Sequence, residues 1–252
     1  MLKLFPFEEY CRPDQKPDGF RLPVGVNDQD TLEEFTPSDE DRYHILVTGQ
    51  AGSGKSIYLH TVIRSILQRY TPAEVNLWLC DYTGCEFRKL QAPHITARWQ
   101  GYHNGEPQEL LEALEKEFET RWDLMRDSGA RRYEDMPDGK PPRLVVIIDS
   151  FGAVSNEMER SGGDFAVRFT RLVRQVHAVG ITLVIATLWT PYQECPYFSE
   201  LSLHIATPQC HENLMFQFRD PRAIEMSRQL RLGEALVDLP QLHKVNLLYL
   251  SP

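Results

Sequence analysis

His44–Ser56, HILVTGQAGSGKS, is the stretch on which the reading of the whole chain turns. A short apolar run (Ile45, Leu46, Val47) leads into Gly49, and Gln50, Ala51, Gly52, Ser53, Gly54, Lys55 and Ser56 complete the G-x-x-x-x-G-K-[ST] pattern of a phosphate-binding loop, the Walker A motif. Glycines at these positions let successive backbone N–H groups turn toward phosphate oxygens, an approach that larger side chains would obstruct. Downstream, Ile57, Leu59, Val62, Ile63, Ile66 and Leu67 recur at helical spacing up to Tyr70, so the loop is expected between a strand and the positive end of a helix. ATP is therefore expected to bind along Gly49–Ile57, with Lys55 reaching the β- and γ-phosphates and the Ser56 hydroxyl reaching Mg2+.

The chain has 252 residues, 42% of them hydrophobic, enough to bury the core of one α/β domain with extensions. No apolar run approaches the ~20 residues of a membrane span, so no membrane insertion is expected of this segment. Its Cys 5 is odd and lacks C-x-x-C spacing, which fits reduced thiols in the cytoplasm better than a disulfide framework. A formal net charge of −9 argues against a surface that clings to nucleic acid everywhere, although a basic patch inside a ring remains compatible with it.

Taken in order, residues 1–40 are rich in Pro, Asp and Glu and read as a lead-in, with Leu22–Gly25 a short edge strand because proline is tolerated at a sheet edge. So abrupt an entry fits a piece of a longer protein as well as a short complete one. Val75–Cys80 reads as a buried strand ending at Asp81, either a site residue or a turn cap. His94–Trp99 is a further short strand. Across Gln108–Arg126, Leu110, Leu111, Leu114, Phe118, Trp122 and Met125 share one helix face, and Glu112, Glu115, Lys116, Glu119 and Arg121 form the polar one. Arg143–Asp149, RLVVIID, has the pattern of a strand buried on both faces that ends in an acid, the Walker B pattern in which Asp149 holds magnesium. A helix over Asp164–Val179 aligns Arg168, Arg171 and Arg174, suited either to solvent or to a neighbour's phosphate. Gly180 stops that helix. Strands follow at Ile181–Thr187, Leu201–Thr207, Gly233–Val237 and Val245–Leu250, with an irregular loop over Thr190–Pro196. Alternating strands and helices point to a mostly parallel sheet flanked by helices.

With these pieces placed, the chain resembles the FtsK/SpoIIIE family of ring-forming P-loop ATPases from about Leu22 onward. The likeness rests on LPVG, on HILVTGQAGSGKS, on EFETRWDLM (Glu117–Met125), on AVGITLVIAT (Ala178–Thr187) and on GEAL (Gly233–Leu236). It implies a RecA-like P-loop NTPase fold over residues 41–252. It also implies a homo-oligomer or tandem ATPase modules acting non-specifically on double-stranded DNA, or on a secreted protein in type VII secretion. The implied location is cytoplasmic, alone or as part of a membrane-anchored protein.

Three positions depart from the family pattern. Thr83 replaces a lysine in the segment after Asp81, Ser150 replaces the glutamate that follows the Walker B aspartate, and Leu188 replaces a glutamine after Ala186 and Thr187. The glutamate orients and polarises the attacking water, a role a serine hydroxyl fills poorly. Glu157 and Glu159 are nearby acids, but they lie past a turn. Lys55 and Asp149 are thus expected to carry what catalysis remains. The leading expectation is a DNA-translocase-type module with weakened hydrolysis. A secretion module and a nucleotide-stabilised scaffold without motor activity are the alternatives.

Overall fold

The computed structural model describes residues 5–37, 42–100, 106–152, 154, 164–188, 200–209 and 214–250. Glu157, Glu159, Cys195, Cys210 and the loop expected over Thr190–Pro196 lie outside the described residues. The elements in order are α1 (Phe7–Tyr10), β1 (Leu22–Val26), β2 (Leu32–Phe35), β3 (Ile45–Thr48), α2 (Lys55–Arg69), β4 (Val75–Asp81), β5 (Ile95–Gln100), α3 (Glu106–Ser128), β6 (Arg143–Asp149), α4 (Asp164–Gln175), β7 (Ile181–Thr187), β8 (Leu203–Ala206), α5 (Leu214–Phe218), α6 (Arg222–Arg228), β9 (Glu234–Asp238) and β10 (Leu242–Asn246). They divide between two compact units, Met1–Tyr70 with Val184–Pro252, and Thr71–Leu183. The architecture is α/β with a mostly parallel core, as the alternating pattern implies.

In the first unit β3 pairs in parallel with β7 on one side and β8 on the other. Every residue of β3 is buried, which accounts for its unbroken apolar run. Beyond β8 the sheet turns antiparallel through β9, β10, β1 and β2. The edge position expected for Leu22–Gly25 is therefore taken by β2, and β1 is an inner strand with all five residues buried. Pro23 is accommodated because the β1–β2 register shifts between Pro23 and Gly25, relieving the ladder at the residue that cannot donate. Gly25 is required by packing, since a Cβ there would lie 2.9 Å from the Asn246 carbonyl oxygen.

The N-terminal residues are more than a lead-in. Phe5, Phe7 and Cys11 join Val26 and Leu248 in one apolar cluster. Arg69, the last residue of α2, is buried and reaches Glu34 of β2 at 2.6 Å and Ser65 Oγ at 3.1 Å. Helix α2 is fastened to β1 by Tyr58, whose hydroxyl donates to the Pro23 carbonyl at 3.1 Å. Ile57 does not belong to that core-facing stripe; it is half exposed.

The second unit is built on parallel β4, flanked by β5 and β6, with Asp81 and Asp149 as register neighbours at the carboxyl ends of β4 and β6. Leu110, Leu111, Leu114 and Met125 of α3 are buried as expected, but two assignments on that helix exchange places. Arg121 is buried, bonded to Glu117 Oε1 at 2.7 Å and to the Val179 carbonyl at 3.4 Å, whereas Trp122 is exposed and lies against Phe118. The long aliphatic stem of arginine fits a packed face once its head is paired. Arg168 is likewise held by Glu115, while Arg171 and Arg174 are exposed. Gly180 ends this helical segment at φ 79, and a Cβ there would lie 2.4 Å from the Tyr133 ring. Only glycine meets both demands.

Candidate nucleotide-binding site

The phosphate loop is shaped by the strand ends beneath it. Thr48, the last residue of β3, offers its carbonyl to the Thr207 amide at 2.9 Å and to the Thr207 hydroxyl at 3.0 Å. Thr207 Oγ1 lies 2.6 Å from Ser53 Oγ, which is also 2.7 Å from the Gln50 carbonyl, so the two hydroxyl protons are shared among the Thr48 carbonyl, the Gln50 carbonyl and each other. A Cβ on Gly49 would sit 1.8 Å from Thr207 Oγ1, so the first glycine is required by this close approach. Gly52 at φ 74 and Gly54 at φ 110 occupy the left-handed region that L side chains avoid. Gln50, Ala51 and Gly52 are exposed, and α2 begins at Lys55 without a side-chain cap, leaving its first amides for a ligand.

Lys55 folds back over the loop, with Nζ donating to the carbonyls of Gly49 at 2.9 Å and Gln50 at 2.8 Å. A network continues below the loop. Thr48 Oγ1 donates to Gln217 Oε1 at 3.0 Å and accepts from Gln209 Nε2 at 2.7 Å, and Ser227 of α6 donates to the Gln209 carbonyl. These hydroxyls and amides are buried, so each bond offsets the cost of desolvating its partners, while Gln217 Nε2 is buried without a hydrogen-bond partner among the described residues.

Beside the loop, and within the same unit, lies a cavity of about 390 Å³. Its lining includes Gly52, Ser53 and Gly54 of the loop together with Leu232, Leu247, Phe5 and Tyr249. Three of its lining residues, Ile57 at 50%, Leu232 at 65% and Tyr249 at 42%, are among the few exposed large apolar side chains of the described residues. Apolar surface gathered around a concavity suits a flat, weakly hydrated group such as a nucleobase. Sequence reading missed Phe5, Leu232, Leu247 and Tyr249, because they come from distant parts of the chain and share no periodicity. Only GEAL, next to Leu232, carried a signal.

In the second unit Asp149 is buried at the end of β6, and Ser150 follows at φ 58. A non-glycine residue in that conformation costs on the order of 1–2 kcal/mol. Such strain is commonly found at functional sites. Leu188, at the end of β7 in the first unit, is 56% exposed and offers no polar group.

Asp81 resolves as an organiser of the segment that follows it. Its Oδ1 accepts from Thr83 Oγ1 at 2.7 Å and the Gly84 amide at 2.9 Å, and its Oδ2 from the amides of Glu86 at 2.7 Å and Phe87 at 3.1 Å. Thr83 thus closes a turn at the position where the family pattern has lysine. Burial pushes the Asp81 carboxyl up, but the bonds from Thr83, Phe87, Glu86 and Gly84 together outweigh it and hold the group below its ordinary value.

A depressed folded-state value means that ionised Asp81 contributes stability above the unfolded-chain value of about 3.9, and that this contribution is lost as pH falls through the lower folded value. Asp81→Asn keeps one acceptor oxygen where two now serve four donors, and is expected to cost about 2 kcal/mol at neutral pH. Urea denaturation should show the gap between parent and variant closing below about pH 4. A gap unchanged down to about pH 3 would refute the assignment.

The comparisons with known proteins agree with this geometry. The FtsK/SpoIIIE family pattern matches residues 17–143. The DNA translocase FtsK of Halalkalibacterium halodurans is 30% identical over 189 residues, covering 69% of this chain and 23% of that relative, so the chain spans about a quarter of its length. Among solved structures, the cytoplasmic domain of the Thermomonospora curvata type VII secretion ATPase EccC superposes with a TM-score of 0.77 at 19% identity, over 96% of this chain and 30% of that one. The pCW3 conjugation coupling protein TcpA, in its monomer form with ATPγS, gives 0.76 at 18%, over 99% of this chain and 70% of that one. At such identities the structural likeness concerns the fold. Together with the loop built on Thr48, Ser53 and Thr207, the sequence match places this chain in the FtsK/SpoIIIE family.

Proposed function

We propose that this FtsK/SpoIIIE-family ATPase module binds ATP with Mg2+ at the Gly49–Ile57 loop, works in a ring or tandem array as a DNA-translocase-type unit, and hydrolyses ATP slowly by itself. The observation that carries the reading is the loop itself: Gly52 and Gly54 present open backbone in the left-handed region, next to an apolar cavity of a size for a nucleobase. The residues present fit the group. Lys55 already lies across the loop, where phosphate oxygens would take the place of the Gly49 and Gln50 carbonyls as partners of its Nζ.

Ser56, in the first turn of α2, supplies a hydroxyl for the metal, and Asp149, at the end of its own strand, keeps the role of metal-holding acid. Mg2+, when bound, neutralises charge on the phosphates. Lys55 screens charge that develops on them. What the chain lacks is a carboxylate directly after Asp149. Ser150 cannot take a proton from water at neutral pH, so binding survives while water activation is lost. Support for a DNA substrate comes from the DNA-translocase relatives and leaves sequence-specific reading without a basis.

Lys55→Ala is expected to abolish ATP binding with the fold intact; calorimetry giving parent and variant the same affinity would sink the proposal. For substrate, a labelled duplex titrated at rising ionic strength should bind non-specifically and lose affinity steeply with salt. Duplex binding that is absent even at low salt, with self-association verified, would replace DNA by a protein substrate of the type VII kind.

A further inference from the structure

Phe5, at the wall of the cavity beside the phosphate loop, begins a segment fastened in an unusual way. The Tyr249 amide donates to the Phe5 carbonyl at 2.7 Å, and the Phe7 amide donates to the Tyr249 carbonyl at 2.9 Å, so Pro6 bridges Tyr249 in parallel. In α1, which follows, Phe7 and Cys11 are fully buried against Val26 and Leu248. Its outer side is held by Arg64 of α2, which meets Glu8 at 2.8 Å and lies over the Phe7 ring at 5.3 Å. Both partners of that ion pair are well exposed, so its contribution is small. The burial of Phe7 and the two backbone bonds to Tyr249 carry the attachment.

We infer that Phe5–Cys11 is a strap whose docking completes the nucleobase-facing half of the site, so that nucleotide binding and strap docking reinforce one another. The inference rests on the reading of the cavity as part of the nucleotide site. The strap fixes Tyr249 by backbone bonds on both sides, leaving the ring to line the cavity with Phe5. Leu247, also in the lining, is held from elsewhere: it donates its amide to the Gly233 carbonyl at 2.7 Å and packs at the loop, where a Cβ on Gly54 would lie 3.6 Å from Leu247 Cδ1. A group seated in the cavity therefore meets residues of the strap as well as the loop's own support. Phosphates at the loop amides do not depend on the strap, whereas a base does. Linkage then requires that whatever loosens the strap weakens ligands that carry a base, and that such ligands tighten the strap. Pulling on the chain at the strap would act on nucleotide affinity without touching Lys55.

The test compares ATP with inorganic tripolyphosphate, each with Mg2+, on the full chain. Phe7→Ala loosens the strap and Tyr249→Ala removes the lining ring; each should weaken ATP about tenfold, the scale of one base–aromatic contact, and leave tripolyphosphate unchanged. Because Phe7→Ala also removes a fully buried ring, Tyr249→Ala carries the test if that variant unfolds. Amide hydrogen exchange adds a second readout: the Phe7 and Tyr249 amides should slow with ATP and not with tripolyphosphate. Unchanged ATP affinity in Tyr249→Ala, equal loss of both probes, or amides that ignore ATP would each overturn the inference. Lys55→Ala is the separate control, since failure there to weaken either probe would count against nucleotide binding itself.

Discussion

The contact between Thr207 and Ser53, with Thr48 behind it, governs the nucleotide loop. Two hydroxyls at 2.6 Å leave no room for a side chain on Gly49, and that crowding sets the point where the backbone leaves β3. Thr207 is held in turn by its amide and its hydroxyl, both bonded to the Thr48 carbonyl at the end of the parallel β3–β8 pairing, so the loop is anchored to two buried strands. Gln209, Gln217 and Ser227 extend the same network to the small helices α5 and α6. A loop supported in this way is held in one conformation before any ligand arrives, so less ordering would oppose the proposed binding.

How much of this the sequence disclosed depended on whether the signal was local. The Walker A loop, the run of β3 and the acid ending β6 are contiguous patterns, and each lies where the pattern implies. Arg121 and Trp122 show the limit on α3: helical period placed the arginine outside and the tryptophan inside, and the pairing of Arg121 with Glu117 and Val179 reversed them. Leu22–Gly25 shows another, because Pro23 reads as an edge residue until a register shift lets it sit within the sheet. The cavity was least legible. Phe5 and Tyr249 stand at opposite ends of the chain, and nothing in either neighbourhood announces that they pair.

The three departures from the family pattern have separate physical accounts. Thr83 closes the turn organised by Asp81, so that change is a structural substitution with a visible role. Leu188 leaves an exposed apolar side chain where a polar one is usual. Ser150 combines a strained backbone with a side chain unable to act as a base at neutral pH. On the proposed reading, the residues that would hold phosphate are kept, while the glutamate that the family pattern has after the Walker B aspartate is replaced by Ser150.

Steady-state ATP turnover by the self-associated protein, parent against Ser150→Glu, tests that division most directly. Positioned proton transfer contributes on the order of 10²–10⁴ in rate, so the parent should turn over very slowly and the variant should recover part of the loss. ATP affinity should be the same in both. A parent already hydrolysing on the order of one ATP per second or faster, with no gain in Ser150→Glu, would contradict the account by showing that another group activates the water.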